Sequence, residues 1–388
     1  MKKYKRFVRN YYVYSFFKHF AFIYAVYIVL FRMAGLSVLE ISLLLALWSG
    51  FVVLSEVPTG ALADKWNRKY MLIIGMISKT IGFGVWFFAR DFVLFALGFL
   101  FWGVGSSFTS GTQEALLFDN LKKFRKGKMY EKVTGNAKFY SGIAIGTSVF
   151  LGGIIASLSF DLVIVLSSLF MLVSIIPILS FHEFKAKTST KEAKYFSLIR
   201  KSFRDAMKNR TLLRLIIYSL IMFSVIGTLD EYEQLYFNWL NLPISFFGVV
   251  MVVIMFSSAL GSKMAYKFKE HFRKENSIYL LSLLSGTFLI IAVSFNSLLL
   301  LPFFILVFVL GSIGEVIVES RLQRIIRTDR RATLLSINSL LGELSAVFLT
   351  TGFGIVSQLS NLVWGFITFG LLVVLFSIIS VLTTFSRK

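Results

Sequence analysis

Twelve apolar stretches, each about as long as a membrane-spanning helix, dominate this sequence. Hydrophobic residues make up 56% of the 388 residues, and charged residues only 16%. A helix crosses a bilayer with about 20 apolar residues at a rise of about 1.5 Å per residue. The composition therefore predicts an all-α membrane protein and excludes a soluble globule. The predicted spans are 11–33, 38–62, 70–89, 92–120, 132–158, 161–181, 211–238, 243–268, 275–295, 297–322, 331–357 and 361–385.

Basic residues are concentrated on alternate connections between the spans. The N-terminal arm, the connections after spans 2, 4, 6, 8 and 10, and the C-terminus carry most of the net charge of +21. On the opposite side, the only Lys or Arg residues near the connections are Arg32 and Arg90. Because positively charged loops stay in the cytoplasm, we expect a multi-pass cell (inner) membrane protein with both termini cytoplasmic. The basic excess would then face anionic lipid rather than nucleic acid.

The connection between spans 2 and 3 carries the most specific motif. Residues 56–69 read EVPTGALADKWNRK and form a short polar hairpin between two apolar runs. The pattern Gly-x-x-x-Asp-Lys-x-Asn-Arg-Lys at residues 60–69 resembles the loop signature of the major facilitator superfamily of secondary transporters. Residues 110–115 (SGTQEA) and 331–336 (RATLLS) are similar to a little-characterised bacterial branch of drug and metabolite exporters. The resemblance covers essentially the whole chain.

The resemblance implies a role for this hairpin at an inner gate. In the superfamily the motif's acid meets the start of span 11, so Asp64 would face the helix that begins near Arg331. Arg68 would close the hairpin onto a carboxylate of a neighbouring span. Asn67 stands where the family has Gly, and we expect it in a left-handed turn because Asn tolerates positive φ. A hairpin that only sets topology remains an alternative. The inner-gate motif residues are Gly60, Asp64, Lys65, Arg68 and Lys69.

A polar stretch at 182–210 separates six spans from six spans. It predicts a bundle at 1–181, a cytoplasmic linker with an amphipathic helix at 182–210, and a second bundle at 211–388. A shared offset of 201 residues between landmarks of the two halves supports a parallel repeat of two six-helix bundles. The pairs with this offset are Gly60 with Gly261, Glu114 with Glu315, and Gly153 with Gly354.

Carboxylates inside the spans are functional candidates because a charge in lipid costs about 2.5–3.5 kcal/mol on insertion scales. Glu343 lies near the middle of span 11, and we expect either proton coupling or a structural hydrogen bond there. Asp230 and Glu231 in span 7 could meet a proton or a cation, or lie in an exposed outer vestibule. A further group near the inner span ends is expected to form gate or structural ion pairs, with proton handling as the alternative. These residues are Glu56, Glu114, Asp119, Glu315 and Arg331.

Basic and aromatic residues in the spans form a second set of candidates. His19 titrates in a useful range, but snorkelling to headgroups together with Lys18 is the favoured interpretation. Lys79 is expected to snorkel from a peripheral helix. Tyr24 and Trp102 could line a cavity for an amphipathic substrate and hold a cation over their rings, although plain packing is favoured.

These features predict a secondary active transporter that works by alternating access. The favoured function is proton-coupled efflux of a small amphipathic compound by a monomeric antiporter, without cofactor or metal. Phe99, where proton antiporters of the superfamily carry Arg, counts against antiport. The alternative is uptake or facilitated diffusion of a polar metabolite. An enzyme is not expected, because HEFKA at 182–186 lacks the second His of a zinc protease helix. A non-transporting sensor on this fold also stays open.

Overall fold

The structure is a computed structural model that describes residues 2–182, 209–271, 277–325 and 331–385. Within these ranges, the side chains at 56–57, 60–61, 63–65, 269–271, 277, 331–339 and 384–385 are outside the description. All regular structure in the described ranges is helical. The helices are α1 (Lys2–Phe17), α2 (Tyr27–Met33), α3 (Val38–Lys65), α4 (Arg68–Phe88), α5 (Phe92–Thr109), α6 (Thr112–Lys123), α7 (Tyr130–Leu158), α8 (Phe160–Val173), α9 (Ile175–Leu179), α10 (Arg210–Trp239), α11 (Ile244–His271), α12 (Ser277–Ser294), α13 (Leu301–Ile325), α14 (Arg331–Leu359) and α15 (Leu362–Phe385).

The predicted spans all coincide with helices, so the predicted fold class is confirmed. Eleven helical stretches of the described chain are long and apolar enough to cross a membrane. The predicted ninth span corresponds to the shorter apolar helix Ile278–Ser294, which begins next to undescribed residues. The protein is therefore an all-α, multi-pass membrane protein.

Spans 1 and 4 are broken, although the sequence predicted continuous helices there. α1 ends at Phe17, and a short 3-10 turn at Phe22–Ala25 separates it from α2. In this turn the Ile23 N–H donates to Ser167 Oγ of α8 at 3.1 Å instead of to a helix carbonyl. Between α5 and α6, Gly111 has a φ of 67°, which glycine adopts without steric cost. Apolar length predicts a span but does not reveal such interruptions.

Contacts divide the chain into two compact units. Unit 1 contains Met1–Leu36, Leu47–Ser189 and Leu242–Val252, and unit 2 contains Ser37–Ala46, Thr190–Asn241 and Val253–Lys388. Two short segments, 37–46 and 242–252, thus join the unit opposite to the bundle that the sequence predicts for them. The predicted amphipathic helix of the linker lies almost wholly within 183–208, outside the described residues. The predicted domain boundaries stay a prediction.

Each unit contains a close helix crossing at an equivalent position of the repeat. In unit 1, a Cβ added to Gly153 of α7 would lie 2.8 Å from the Ile244 carbonyl oxygen at the start of α11. In unit 2, a Cβ added to Gly354 of α14 would lie 2.5 Å from Ser42 Cβ near the start of α3. The glycine pair of the repeat therefore makes matching close contacts. Tyr232 of α10 adds a hydrogen bond in unit 2 by donating to Ser42 Oγ at 2.6 Å.

Candidate functional site

The hairpin between α3 and α4 is joined to α6 by an ion pair. Arg68 Nη1 donates to Asp119 Oδ2, and each side chain is only 11% exposed. Lys69 Nζ donates to the carbonyl oxygen of Leu179, at the end of α9. The two basic side chains thus tie the hairpin to two further helices of unit 1. This is the geometry by which Arg68 was expected to close the hairpin onto a neighbouring span.

Asn67 does not adopt the left-handed turn that we expected from the sequence. Its φ of −73° and ψ of 115° are extended, and its side chain accepts hydrogen bonds from the N–H groups of Lys69 and Tyr70. Asn67 is therefore the N-cap of α4. An Asn side chain satisfies the free N–H groups of a first helical turn, which the Gly of the family motif cannot do.

The other predicted gate residues are less well assembled in the described chain. Glu114 Oε1 accepts a hydrogen bond from Gln113 Nε2 at 2.7 Å, and Glu315 is exposed in the second half of α13. Neither of these two acids pairs with a described base, which differs from the expected ion pairs. The partner of Asp64 near the start of α14 remains a prediction. The remaining candidates have side chains outside the described part, namely Glu56, Asp64, Lys65 and Arg331.

The Arg68–Asp119 pair should contribute measurably to stability because both groups are largely removed from water. We expect Arg68→Gln and Asp119→Asn each to lower the free energy of unfolding by about 1.5–3 kcal/mol. The double variant should lose less than the sum of the two, because the second change removes a group already without its partner. Unfolding in mixed detergent micelles measures these values, with exposed Lys132→Gln as the control. Strictly additive losses would contradict a direct interaction.

Two lysines expected to snorkel lie instead inside unit 1. Lys18 is 7% exposed and Lys79 is 6% exposed. Lys18 Nζ donates to Gln113 Oε1 at 2.7 Å and lies 6.0 Å from the centre of the Tyr14 ring. Half-buried His19, in the gap after α1, is within electrostatic range of both lysines. We call Lys18, His19 and Lys79 the basic cluster, and the burial of its two lysines argues against the snorkelling interpretation for them.

Lys79 turns inward because α4 packs very closely on α5. A Cβ added to Gly105 would lie 2.6 Å from the Gly75 carbonyl oxygen and 2.8 Å from Lys79 Cγ. Gly75, Lys79 and Gly82 are three and four residues apart, so they share one face of α4. Small residues mark the contact face of a membrane helix. This glycine spacing was the sequence signal that could have placed Lys79 inside the unit.

The aromatic candidates belong to a packed cluster of unit 1. The ring of Tyr24 stacks on Trp102 with a centroid separation of 5.5 Å, and Trp102 stacks on Phe99 at 5.6 Å. Tyr27 and Trp86 complete what we call the aromatic cluster, with Trp86 also 5.5 Å from Trp102. Trp102 is buried, whereas Tyr24 is half-buried. Packing therefore accounts for most of this cluster, and Tyr24 is its member that remains partly accessible.

A second group of ionisable residues lies on α10 in unit 2. Asp230 is exposed and Glu231 is half-buried, whereas Glu233 is 2% exposed. Glu233 Oε2 has no hydrogen-bond partner within the described residues. We call these three residues the acidic segment. The sequence places all three at a similar depth, and only the rotation of α10 distinguishes the buried acid from its neighbours.

Glu343 lies in the middle part of α14, and its side chain is half-buried. The neighbouring Gly342 carbonyl oxygen accepts a hydrogen bond of 3.3 Å from Ser224 Oγ of α10. The backbone beside Glu343 is thus held against the helix that carries the acidic segment. The candidate acids thus lie on two adjacent helices of unit 2, and the contact between these helices is nine residues from Glu233.

Comparisons with known proteins extend this geometry. The sequence profile of the Major Facilitator Superfamily matches residues 12–350. A bacterial homologue of the human lysosomal transporter Spinster, inward-facing and unoccupied, is similar with a TM-score of 0.75 at 14% identity, over 97% of this chain and 95% of that chain. A variant of the nucleoside transporter NupG is similar with a TM-score of 0.75 at 13% identity, over 96% and 97%.

A bacterial homologue of the iron transporter ferroportin, also inward-facing, has a TM-score of 0.69 at 16% identity, over 97% of this chain and 98% of that chain. Identities this low show a shared fold alone. No curated protein gives a significant match. Because the family profile spans most of this chain and solved transporters share its fold over nearly their whole length, the chain belongs to the Major Facilitator Superfamily.

Proposed function

We propose that this protein is a proton-coupled secondary active transporter that exports a small amphipathic compound by alternating access. It acts as a monomer in the cell (inner) membrane with both termini in the cytoplasm. Membership of a superfamily of secondary transporters supports the transport function. The one-sided distribution of Lys and Arg over the connections supports the orientation.

The buried acid on α10 is the observation that carries the proposed proton coupling. Glu233 is 2% exposed, and one of its carboxylate oxygens lacks a partner in the described chain. An ionised carboxylate without a partner is very costly in an apolar interior. Glu233 therefore holds a proton in this conformation. Asp230 and Glu231 on the neighbouring turn supply a path by which that proton reaches water when the surroundings change.

The aromatic cluster supports an amphipathic cargo. Half-buried Tyr24 lies stacked on Trp102, so a flat apolar group can extend this stack without first opening a packed core. Aromatic faces bind apolar groups strongly while Tyr retains a polar end. Half-buried Gln113 and buried Gln234 are already engaged in hydrogen bonds or other contacts, which makes a site for a sugar-like polar metabolite the second choice.

The inner hairpin acts as a gate in this proposal. The Arg68–Asp119 pair holds the hairpin to unit 1, which leaves Asp64 to make the contact that opens and closes with the start of α14. Two six-helix bundles, 1–181 and 211–388, rock about the substrate and are linked by 182–210. Residues Gly60, Lys65 and Lys69 shape and anchor the hairpin through this movement.

Transport into proteoliposomes with an imposed pH gradient tests the proposal. Three radiolabelled probes share one apolar body and differ in charge: 3-phenylpropionate, 3-phenylpropionamide and 3-phenylpropylammonium. Proton antiport predicts that an acidic vesicle interior drives accumulation of at least one probe above protein-free vesicles. The opposite gradient should not drive accumulation.

The sign of the response separates the candidate functions. Accumulation driven by an alkaline interior, beyond the protein-free blank, would identify a symporter for uptake and overturn export. Protein-dependent movement that ignores the gradient would identify facilitated diffusion. Binding of a probe with no protein-dependent movement would identify a sensor.

A further inference from the structure

Lys79 is a largely buried lysine without a hydrogen-bond acceptor or a carboxylate partner in the described part of unit 1. It is 6% exposed, and no hydrogen bond or ion pair joins it to any described residue. Its aliphatic stem lies against Gly105 of α5, so the side chain starts from the helix face that packs inside the unit. A buried ammonium without an acceptor is costly, and such groups within membrane spans mark binding sites or ion paths.

Lys18 adds a second buried ammonium close by. Its hydrogen-bond acceptor, Gln113 Oε1 at 2.7 Å, is neutral. Lys18 and Lys79 lie within electrostatic range of each other, which is unfavourable for two like charges in a poorly solvated interior. A bound group of opposite charge would stabilise the ammonium forms of both lysines.

Glu114 compensates only part of this positive charge. It lies within electrostatic range of Lys18, and its Oε1 is already bonded to Gln113 Nε2. Among the described side chains, which do not include that of Glu56, two ionised lysines and one carboxylate have a net charge of one positive unit. One uncompensated charge suits a monoanion, and a carboxylate matches it better than a doubly charged phosphate.

The backbone gap in span 1 opens the basic cluster to a ligand. Lys18 and His19 occupy the non-helical residues between α1 and the turn at Phe22–Ala25. Irregular backbone at membrane depth is tolerated where it is packed in protein or lines a water-filled cavity. Half-buried His19 and Tyr24 on either side of the gap can both be touched by a water-sized molecule. The gap is thus partly accessible beside Lys18.

The aromatic cluster lies next to the basic cluster. Gly105, which contacts Lys79, is one helical turn from Trp102 on α5, and Trp102 stacks on Tyr24 at 5.5 Å. A ligand with a carboxylate at one end and a flat apolar body at the other would match this sequence of charge and ring. A cation would meet the two lysines at the same place and be repelled.

We propose that unit 1 binds an amphipathic organic acid, with its carboxylate on Lys18 and Lys79 and its apolar body on Tyr24 and Trp102. This assignment rests on the proposed transport function, whose cargo it names by chemical class. His19 borders the carboxylate and keeps it close to the gap in span 1.

Equilibrium binding to the detergent-purified full-length protein tests the inference. The probes are 3-phenylpropionate, 3-phenylpropionamide and 3-phenylpropylammonium, titrated by calorimetry. We expect the carboxylate to bind about tenfold or more tightly than either other probe, because a charge-assisted contact is lost in them. Lys79→Met and Lys18→Met should each weaken carboxylate binding about tenfold and weaken amide binding much less, because the amide carries no charge. Lys138→Met, at an exposed site on α7, is the matched control and should bind like the unsubstituted protein.

The inference is wrong if no probe binds, or if the amide or ammonium binds as tightly as the carboxylate. It is also wrong if both Met variants retain full affinity for the carboxylate. The probe series on the unsubstituted protein needs no variant, so a folding defect cannot hide the answer. Because these titrations use no membrane and no gradient, they separate the two proposals. Charge-selective binding without gradient-driven transport would overturn only the coupling, and gradient-driven transport of the ammonium probe would overturn only this inference.

Discussion

A disulfide between cysteines introduced at Ser42 and Gly354 is expected to stop transport until it is reduced. Both residues lie in unit 2, where a Cβ at Gly354 would be 2.5 Å from Ser42 Cβ. Disulfide Cβ atoms lie about 3.5–4.5 Å apart, so a small separation of the two helices allows the bond. The sequence repeat assigns α3 to the first six spans, whereas the contacts of its first residues belong to unit 2. If the two bundles rock, this contact must open during each cycle.

Shifting a two-state population from about 1:99 to 99:1 takes about 5.5 kcal/mol. A covalent bond is stronger than this, so the disulfide traps one conformation. Accumulation of the probes in proteoliposomes, after oxidation and again after reduction, measures the effect. The chain has no native cysteine, so no competing bond forms. Ser42→Cys and Gly354→Cys alone serve as controls, and Gly354→Cys also reports the crowding by the new side chain. Full transport by a verified disulfide-bonded protein would show that this contact does not open.

Glu343→Gln and Glu233→Gln are each expected to abolish accumulation driven by a pH gradient. Glutamine keeps the size of the side chain and most of its hydrogen bonding but cannot carry a proton. Substrate exchange at equal pH on both sides should remain largely intact, because it needs no net proton movement. Ser224 of α10 is hydrogen bonded to Gly342, so the two acids lie on helices that are directly joined. We therefore expect them to act in one proton path.

Exposed Asp230 provides the matched comparison on the same helix. Asp230→Asn should retain part of the gradient-driven accumulation, because an exposed carboxylate is less strongly forced to bind a proton than the buried Glu233. Loss of coupling in only one of the two glutamine variants would assign the proton to that acid. Loss of coupling in only Asp230→Asn or only Glu231→Gln would assign the transported proton to that residue instead. Unchanged coupling in all four variants would remove the acids of α10 and α14 from the mechanism.

The sequence by itself determined the spans, their order and the place of the polar hairpin. A run of about 20 apolar residues has a single stable location, the bilayer, so composition and length were sufficient there. The equal offset of Gly153 and Gly354 also predicted a repeated feature, and both positions are close helix crossings where a Cβ has no room. The hairpin was recognisable because its charged residues follow one another in the chain. Arg68 was expected to meet a carboxylate of another span, and Asp119 lies against it.

The tertiary structure alone decided which way the buried charges point. Hydropathy gives the depth of a residue in the membrane, but a helix that is apolar on all sides has no polar face to define its rotation. Packing against Gly105 turns Lys79 into unit 1, and the packing of α10 buries Glu233 while leaving Asp230 exposed. The gap in span 1 likewise depends on a distant partner, since Ser167 of α8 replaces a lost helix bond at Ile23. Local sequence does not contain these long-range contacts, because residues far apart in the chain make them.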